Sequence, residues 1–352
     1  MTNLNTGGID EAMSLINKRR KEGKCAEHLN ARTIDDAVSL LSRYKDEAMV
    51  FAGGFDLLGL MRKKLRTPRV LVNIKTIPDL AYIKEDLEGI KIGALTTIKD
   101  IEKSALVRDK YGMLADAAHS VGSPLVRNVA TVAGNLCQEV RCWYYRSSPV
   151  VGPTFHCRRK GGERCFAVDG ENQYHAIIGA TECNSVCPSD MAPALLALDA
   201  RLKIANVTGA RIVPLEEFYL PLGNILEPDE MITEIQIPTP WPGTNQRYLK
   251  FRVRKTIDFA ISSVAAAITT EAGITIRARI FLGGVAPIPY RAIRAEQALE
   301  GKDATESVID LSAKMATIEA VPLSQNAYKV PITETLVKRA VFSKTNDSPS
   351  IL

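Results

Sequence analysis

Cysteine is scarce over most of this chain, histidine is scarce throughout, and no long apolar run occurs. Each shortage excludes something. Runs such as 191–198 and 261–268 are far too short to cross a bilayer, so no membrane span is expected. The first twenty residues hold Asp10, Glu11 and Lys18 to Arg20 without an apolar core, which does not read as a secretory signal. A cytoplasmic location is the default expectation, and there disulfides are kept reduced. The net charge of +5 is mild, and no basic stripe interleaved with aromatics is present, so nucleic acid is not expected. The four histidines, His28, His119, His156 and His175, are scattered, and no acid, base or nucleophile needs to be assigned. For His156 and His175, both near cysteines, a surface or structural role is the first reading and tuning of a metal centre the second.

What is present is order. At 352 residues, 46% of them hydrophobic, the chain is long enough for two domains with their own cores. Residues 1–25 read as an extension. Thr33 and Asp36 then form a capping-box-like start, with Ile34, Ala37, Val38 and Leu41 on one helical face. A strand over 49–52 stops at Gly53-Gly54, a Leu-rich helix follows, and a strand over 70–74 completes a small parallel βαβ unit. A hairpin turns near Glu88-Gly89, Thr97 with Asp100 caps a helix, and another helix over 111–121 ends at Gly122. Further on come a helix over 191–198 and strands over 201–206 and 231–237. Pro238-Thr239-Pro240-Trp241-Pro242-Gly243 is the best candidate boundary. Beyond it lie three strands and three helices. The fold class expected is α+β: a two-subdomain part over 26–240, then a C-terminal domain over 244–345 with a three-stranded antiparallel sheet.

Six of the seven cysteines fall in 137–187, a stretch of little regular pattern that needs a reason to be ordered. Cys137, Cys142, Cys183 and Cys187 form two close pairs whose spacing structural zinc tolerates. An iron–sulfur cluster is the other reading: the usual run with two residues between cysteines is absent, but a long loop can deliver four thiolates. Arg141, Arg158, Arg159, Lys160 and Arg164 surround them, and positive charge favours thiolate. Inert buried thiols account for Cys25 and part of the rest. Spacing alone leaves zinc and iron–sulfur both open. Two glycine turns, at 53–54 and 133–134, can bring backbone N–H groups against a pyrophosphate. A tight turn is the bland alternative.

Taken together, "AGGFDL" at 52–57, "ATVAGNLC" at 130–137, "PSDMAPALLALDA" at 188–200 and "KFRVRKTIDFA" at 250–260 resemble the FAD-binding medium subunit of the molybdenum hydroxylase family. That family includes carbon monoxide dehydrogenase, xanthine dehydrogenase and 4-hydroxybenzoyl-CoA reductase. The resemblance covers essentially the whole chain. It implies FAD held at Val50, Phe51, Ala52, Gly53, Gly54, Phe55, Asp56, Leu57, Thr131, Val132, Ala133, Gly134 and Asn135. It further implies an acidic contact at Asp190, a strand contact at Ile232 and a flavin-side lysine at Lys250. Phe55 departs from the Thr or small polar residue usual at its position, which removes a side-chain hydrogen bond there but leaves backbone contacts possible.

The cysteine segment is similar to that of the 4-hydroxybenzoyl-CoA reductase type, whose loop holds a [4Fe–4S] cluster. Matching from the "RC" after the second turn to the cysteine nine residues before Ala192-Pro193 gives Cys142, Cys157, Cys165 and Cys183 as ligands. The 14, 7 and 17 residues between them include an insertion in "DGENQYHAIIGATE", 169–182. Cys137 and Cys187 are left nonligating, with Cys187 as the substitute for Cys183. The resemblance implies an electron-transfer subunit linking FAD and this cluster to a small [2Fe–2S] subunit, with substrate chemistry on a molybdopterin-type large subunit. The external electron partner, such as NAD, ferredoxin or quinone, is left open. A zinc-stabilised scaffold and a self-sufficient flavin dehydrogenase are the alternatives.

Overall fold

The computed structural model describes residues 26–150, 152 and 154–342, so the extension expected at 1–25 and Cys25 lie outside the described residues. The first unit is a three-stranded parallel sheet in the order β1 (Glu27–Asn30), β3 (Val70–Asn73), β2 (Ala48–Phe51). The central strand β3 is Val-Leu-Val-Asn with every residue buried, as a strand covered on both faces must be. The helix Ile34–Tyr44 covers one face through Ala37, Val38 and Leu41. Its start is fixed by Thr33, whose hydroxyl accepts from the Asp36 amide at 3.0 Å while Asp36 accepts back from the Thr33 amide at 3.0 Å. A cap of this kind stabilises by about 1 kcal/mol, and Thr33→Ala would remove it.

The second unit is a five-stranded antiparallel sheet, in the order β4 (Ile83–Glu85), β5 (Gly89–Gly93), β10 (Met231–Pro238), β6 (Arg201–Asn206), β7 (Gly209–Pro214). The β4–β5 turn is closed by Asp86, whose Oδ1 accepts from the amides of Glu88 and Gly89. Short helices, among them Gly112–Ser120 and Met191–Ala197, pack on this sheet and form the central core with Ile90, Ile92, Leu202 and Ile235. Between β7 and β10 runs a small hairpin, β8 (Tyr219–Leu220) and β9 (Gly223–Asn224).

The third unit begins six residues after β10 ends. Its antiparallel sheet is ordered β11 (Thr244–Phe251), β12 (Ser262–Glu271), β13 (Ile274–Gly283), β14 (Tyr290–Arg291). The sequence pattern predicts three strands here. The fourth is two residues long, below the length at which alternation is visible. Strand β12 is buried over its first eight residues and carries three alanines, because Met191–Ala197 packs on it from one side and Lys329–Phe342 from the other. Small side chains let both helices approach. Among the described residues no helix is long and apolar enough to cross a membrane.

The described residues of 137–190 have as helical elements Trp143–Arg146 and a single 3-10 turn at Arg158–Lys160. They are ordered instead by a small core of Leu60, Val140, Tyr145 and Cys157, with Cys142 and Phe166 against it. The far end, Ile177 and Ile178, is buried in the core of the third unit.

Candidate functional site

The two glycine turns face each other. Gly53 follows β2, and a Cβ there would lie 2.4 Å from the Val129 carbonyl oxygen, so the first turn packs directly on the approach to the second. Gly54 has φ +74°, a left-handed conformation that glycine adopts without strain. In the second turn Thr131 caps Val132–Leu136, its hydroxyl accepting from the Gly134 amide at 3.2 Å. Asn135 Oδ1 accepts from Ser189 Oγ at 2.6 Å, which draws the start of Met191–Ala197 to the same place.

Between the turns lies a cavity of about 770 Å³, within the size range of cofactor pockets. Of the residues expected there, Val50, Ala52, Gly53, Gly54, Phe55, Asp56, Leu57, Thr131, Ala133, Gly134, Asn135, Asp190 and Ile232 line it. Three do not. Phe51 points to the other face of its strand, edge-on to His28 and under Lys75. Val132 is fully buried in the central core. Lys250 is turned inward: its Nζ donates to Asp190 Oδ2 at 2.6 Å and to the carbonyls of Ser120 and Asp258 at 3.1 and 3.0 Å. With side chains only 3% and 8% exposed, Lys250 and Asp190 are a buried ion pair beneath the cavity. Tyr219, Leu222 and Asn224 of the β8–β9 hairpin also line it. Two strands of two residues carry no periodic signal by which to find them.

Asp56 has a second task. Its carboxylate meets Arg141 at 2.8 Å and Arg146 at 2.7 Å, and accepts from the Glu139 amide at 2.7 Å. The helix after the first turn is therefore tied to the start of the cysteine segment. Arg141 also stacks over Phe259, and burial holds its guanidinium down at about 10. An adjoining cavity of about 350 Å³ is walled by Arg141, Asp190 and Phe259 on the side of the first and by Cys142, Trp143 and His175 beyond.

The six described cysteines are free and fall into two groups. Cys137 and Cys187 border the large cavity and both lie near Tyr219. Burial pushes each thiol up to about 12. Cys142 lies within electrostatic reach of Cys183 and Cys165 and packs on the small core that holds Cys157. Its thiol is also pushed up to about 12 by burial, while the Tyr145 and Tyr144 amides pull it back. Lys160 lies near both Cys157 and Cys142, and Arg159 Nε donates to Cys183 Sγ at 3.3 Å. His175 Nε2 is 3.3 Å from Cys142 Sγ, and burial, then the nearby Lys329 charge, lowers the imidazole to about 4. Arg159 faces Cys187 as well, which keeps that residue close to the second group. Among the described residues no three His, Cys, Asp or Glu side chains are arranged to hold a single metal ion.

Comparison with known proteins agrees with a flavin cavity in this part of the chain. The family described as the FAD binding domain in molybdopterin dehydrogenase matches residues 24–240, and the CO dehydrogenase flavoprotein C-terminal domain matches residues 247–343. The FAD-binding subunit of an aldehyde oxidoreductase from Escherichia coli is 33% identical over 306 residues, 84% of this chain and 90% of that protein. The carbon monoxide dehydrogenase medium chain of Hydrogenophaga pseudoflava is 27% identical over 321 residues, 90% of this chain and 95% of its own. A solved chain of carbon monoxide dehydrogenase from that organism superposes with a TM-score of 0.73 at 26% identity, covering 90% of this chain and 96% of its own. The chain belongs to the FAD-binding medium subunits of the molybdenum hydroxylase family.

Proposed function

We propose that this chain is the electron-transfer flavoprotein subunit of a multi-subunit, molybdenum hydroxylase-type oxidoreductase. In this reading it holds FAD between its glycine turns and a [4Fe–4S] cluster on Cys142, Cys157, Cys165 and Cys183. The observation that carries the reading is the cavity of about 770 Å³ walled by both turns, beside a segment that groups these cysteines apart from Cys137. The Gly53–Gly54 backbone on the cavity wall suits a pyrophosphate, which needs close N–H approach rather than side chains, while the Ala133 and Gly134 amides are engaged by the Ala94 carbonyl and the Thr131 hydroxyl. The second donor set is four thiols beside Arg159 and Lys160, which suits an anionic centre.

When bound, FAD accepts or gives electrons in pairs or singly and an iron–sulfur cluster one at a time, so the pair joins two-electron to one-electron chemistry. The chain's own residues hold, orient and shield. Asp190 and Lys250 stiffen the floor of the cavity, Asp56 fixes its distance from the cysteine segment, and Trp143 and Tyr144 cover Cys142. No acid–base or nucleophilic set is needed here. Substrate chemistry belongs to a molybdopterin-type large subunit, and a [2Fe–2S] small subunit takes or delivers the electrons. A cytoplasmic setting, in which the thiols stay reduced, suits this assignment.

Anaerobic purification tests it. Expected are a yellow flavin released on denaturation, about four iron per chain, and broad absorbance near 400 nm, on the order known for thiolate-bound iron. Zinc without iron would instead support a scaffold. Substrate turnover by the isolated chain with an artificial acceptor would support a self-sufficient dehydrogenase.

A further inference from the structure

We propose that His175 donates an Nε2–H hydrogen bond to the Cys142 sulfur of the iron–sulfur centre and raises that centre's midpoint potential. This rests on the cluster proposed above. His175 Nε2 lies 3.3 Å from Cys142 Sγ, the residue is 4% exposed, and Nδ1 is buried with no hydrogen-bond partner among the described residues. That asymmetry assigns the tautomer. A neutral imidazole carries one N–H. On Nδ1 the proton would be an orphaned buried donor, which proteins rarely tolerate, whereas on Nε2 it meets a thiolate.

The ring is held there from a distance. The His175 amide donates to the Asn172 carbonyl at 2.9 Å, and its carbonyl accepts from Lys329 Nζ at 2.9 Å and Asn326 Nδ2 at 3.2 Å. Lys329 and Asn326 are fully buried residues of the third unit. Two residues on, the amides of Ile177 and Ile178 both donate to the Val285 carbonyl. The Trp143 and Tyr144 rings close the sides, with centroids 6.3 and 6.1 Å from the imidazole. The inserted stretch 169–182 thus delivers one donor to one sulfur, and the C-terminal domain fixes where it stands.

The consequence is electrostatic. Reduction adds negative charge to the cluster and its sulfurs, so an N–H aimed at a sulfur stabilises the reduced form more than the oxidised one. A water-excluded site strengthens the effect.

The test is a redox titration of the cluster in the anaerobically purified full chain, followed by its paramagnetic signal. In His175→Phe the ratio of reduced to oxidised cluster at fixed potential should fall at least tenfold, a downward shift of about 59 mV for one electron. His175→Gln, which keeps a donor, should recover part of the shift. Should His175→Phe fail to fold, the wild-type chain still decides: with ¹⁵N-histidine, pulsed resonance of the reduced cluster should show a coupled imidazole nitrogen. An unmoved potential in a variant that retains four iron, or no such coupling in the wild type, overturns the inference and leaves the cluster standing. A wild-type chain with flavin but without iron overturns the cluster reading itself, and this inference with it.

Discussion

The two halves of the site are built by opposite means. The cavity between the glycine turns is walled largely by the backbone of two short motifs, with Gly53 packed on the Val129 carbonyl and Gly134 capped by Thr131. The cysteine segment has almost no regular structure and is held by side chains from far along the chain, among them Asp56, Asn326 and Lys329. A backbone-built wall yields to changes of shape, whereas a side-chain-built segment yields to loss of particular polar partners. Variants can separate the two.

The largest effect is expected beneath the cavity. Lys250→Met leaves the Asp190 carboxylate buried without its cation and should cost about 3–5 kcal/mol, read by denaturant unfolding. An unchanged midpoint would show that the ion pair does not support this floor. Next comes the backbone wall. Gly53→Ala places a methyl 2.4 Å from a backbone oxygen that cannot swing aside. It should cost about 1–3 kcal/mol by overpacking, and flavin content should drop while iron content holds. Loss of both together would mean that the halves are not separable in this way.

Lys329 offers a pH-dependent contrast. Burial lowers its ammonium from the ordinary 10.5 to about 7. Between those values the unfolded chain binds the proton and the folded chain does not, so stability from this group rises with pH from about 7 to 10.5. Below 7 the cost of burying the charge is fully present. Lys329→Met should flatten that part of the stability profile, and equal slopes in both proteins would refute the assignment. The smallest effect is expected at Cys137→Ala, which removes one sulfur from a packed site at about 1 kcal/mol. Iron content should stay at the wild-type value, while Cys142→Ser should abolish most of it. Equal losses would place Cys137 among the ligands.

This contrast also explains what could be read in advance. Thr33 with Asp36, Thr97 with Asp100, and the turn at Gly89 are local signals, and the structure forms a cap or turn at each. The positions of the two glycine turns follow from the same kind of signal. Strand β1, Glu-His-Leu-Asn, was hidden because it is short and polar, and it is defined only by its pairing with β3. The inward turn of Lys250 depends on Asp190, sixty residues away. The place of His175 depends on partners more than 150 residues away. No window of sequence contains such pairs.

Asp56 bears on how the protein matures. One carboxylate belongs to the flavin-side turn, and its two guanidinium partners belong to the segment that carries the sulfurs. If the flavin-side turn folds first, its carboxylate waits for the two guanidinium groups that the cysteine segment brings. Asp56 is therefore the tether by which the flavin-side turn fixes where the cysteine segment lies, and Asp56→Asn should loosen that segment while leaving both turns in place.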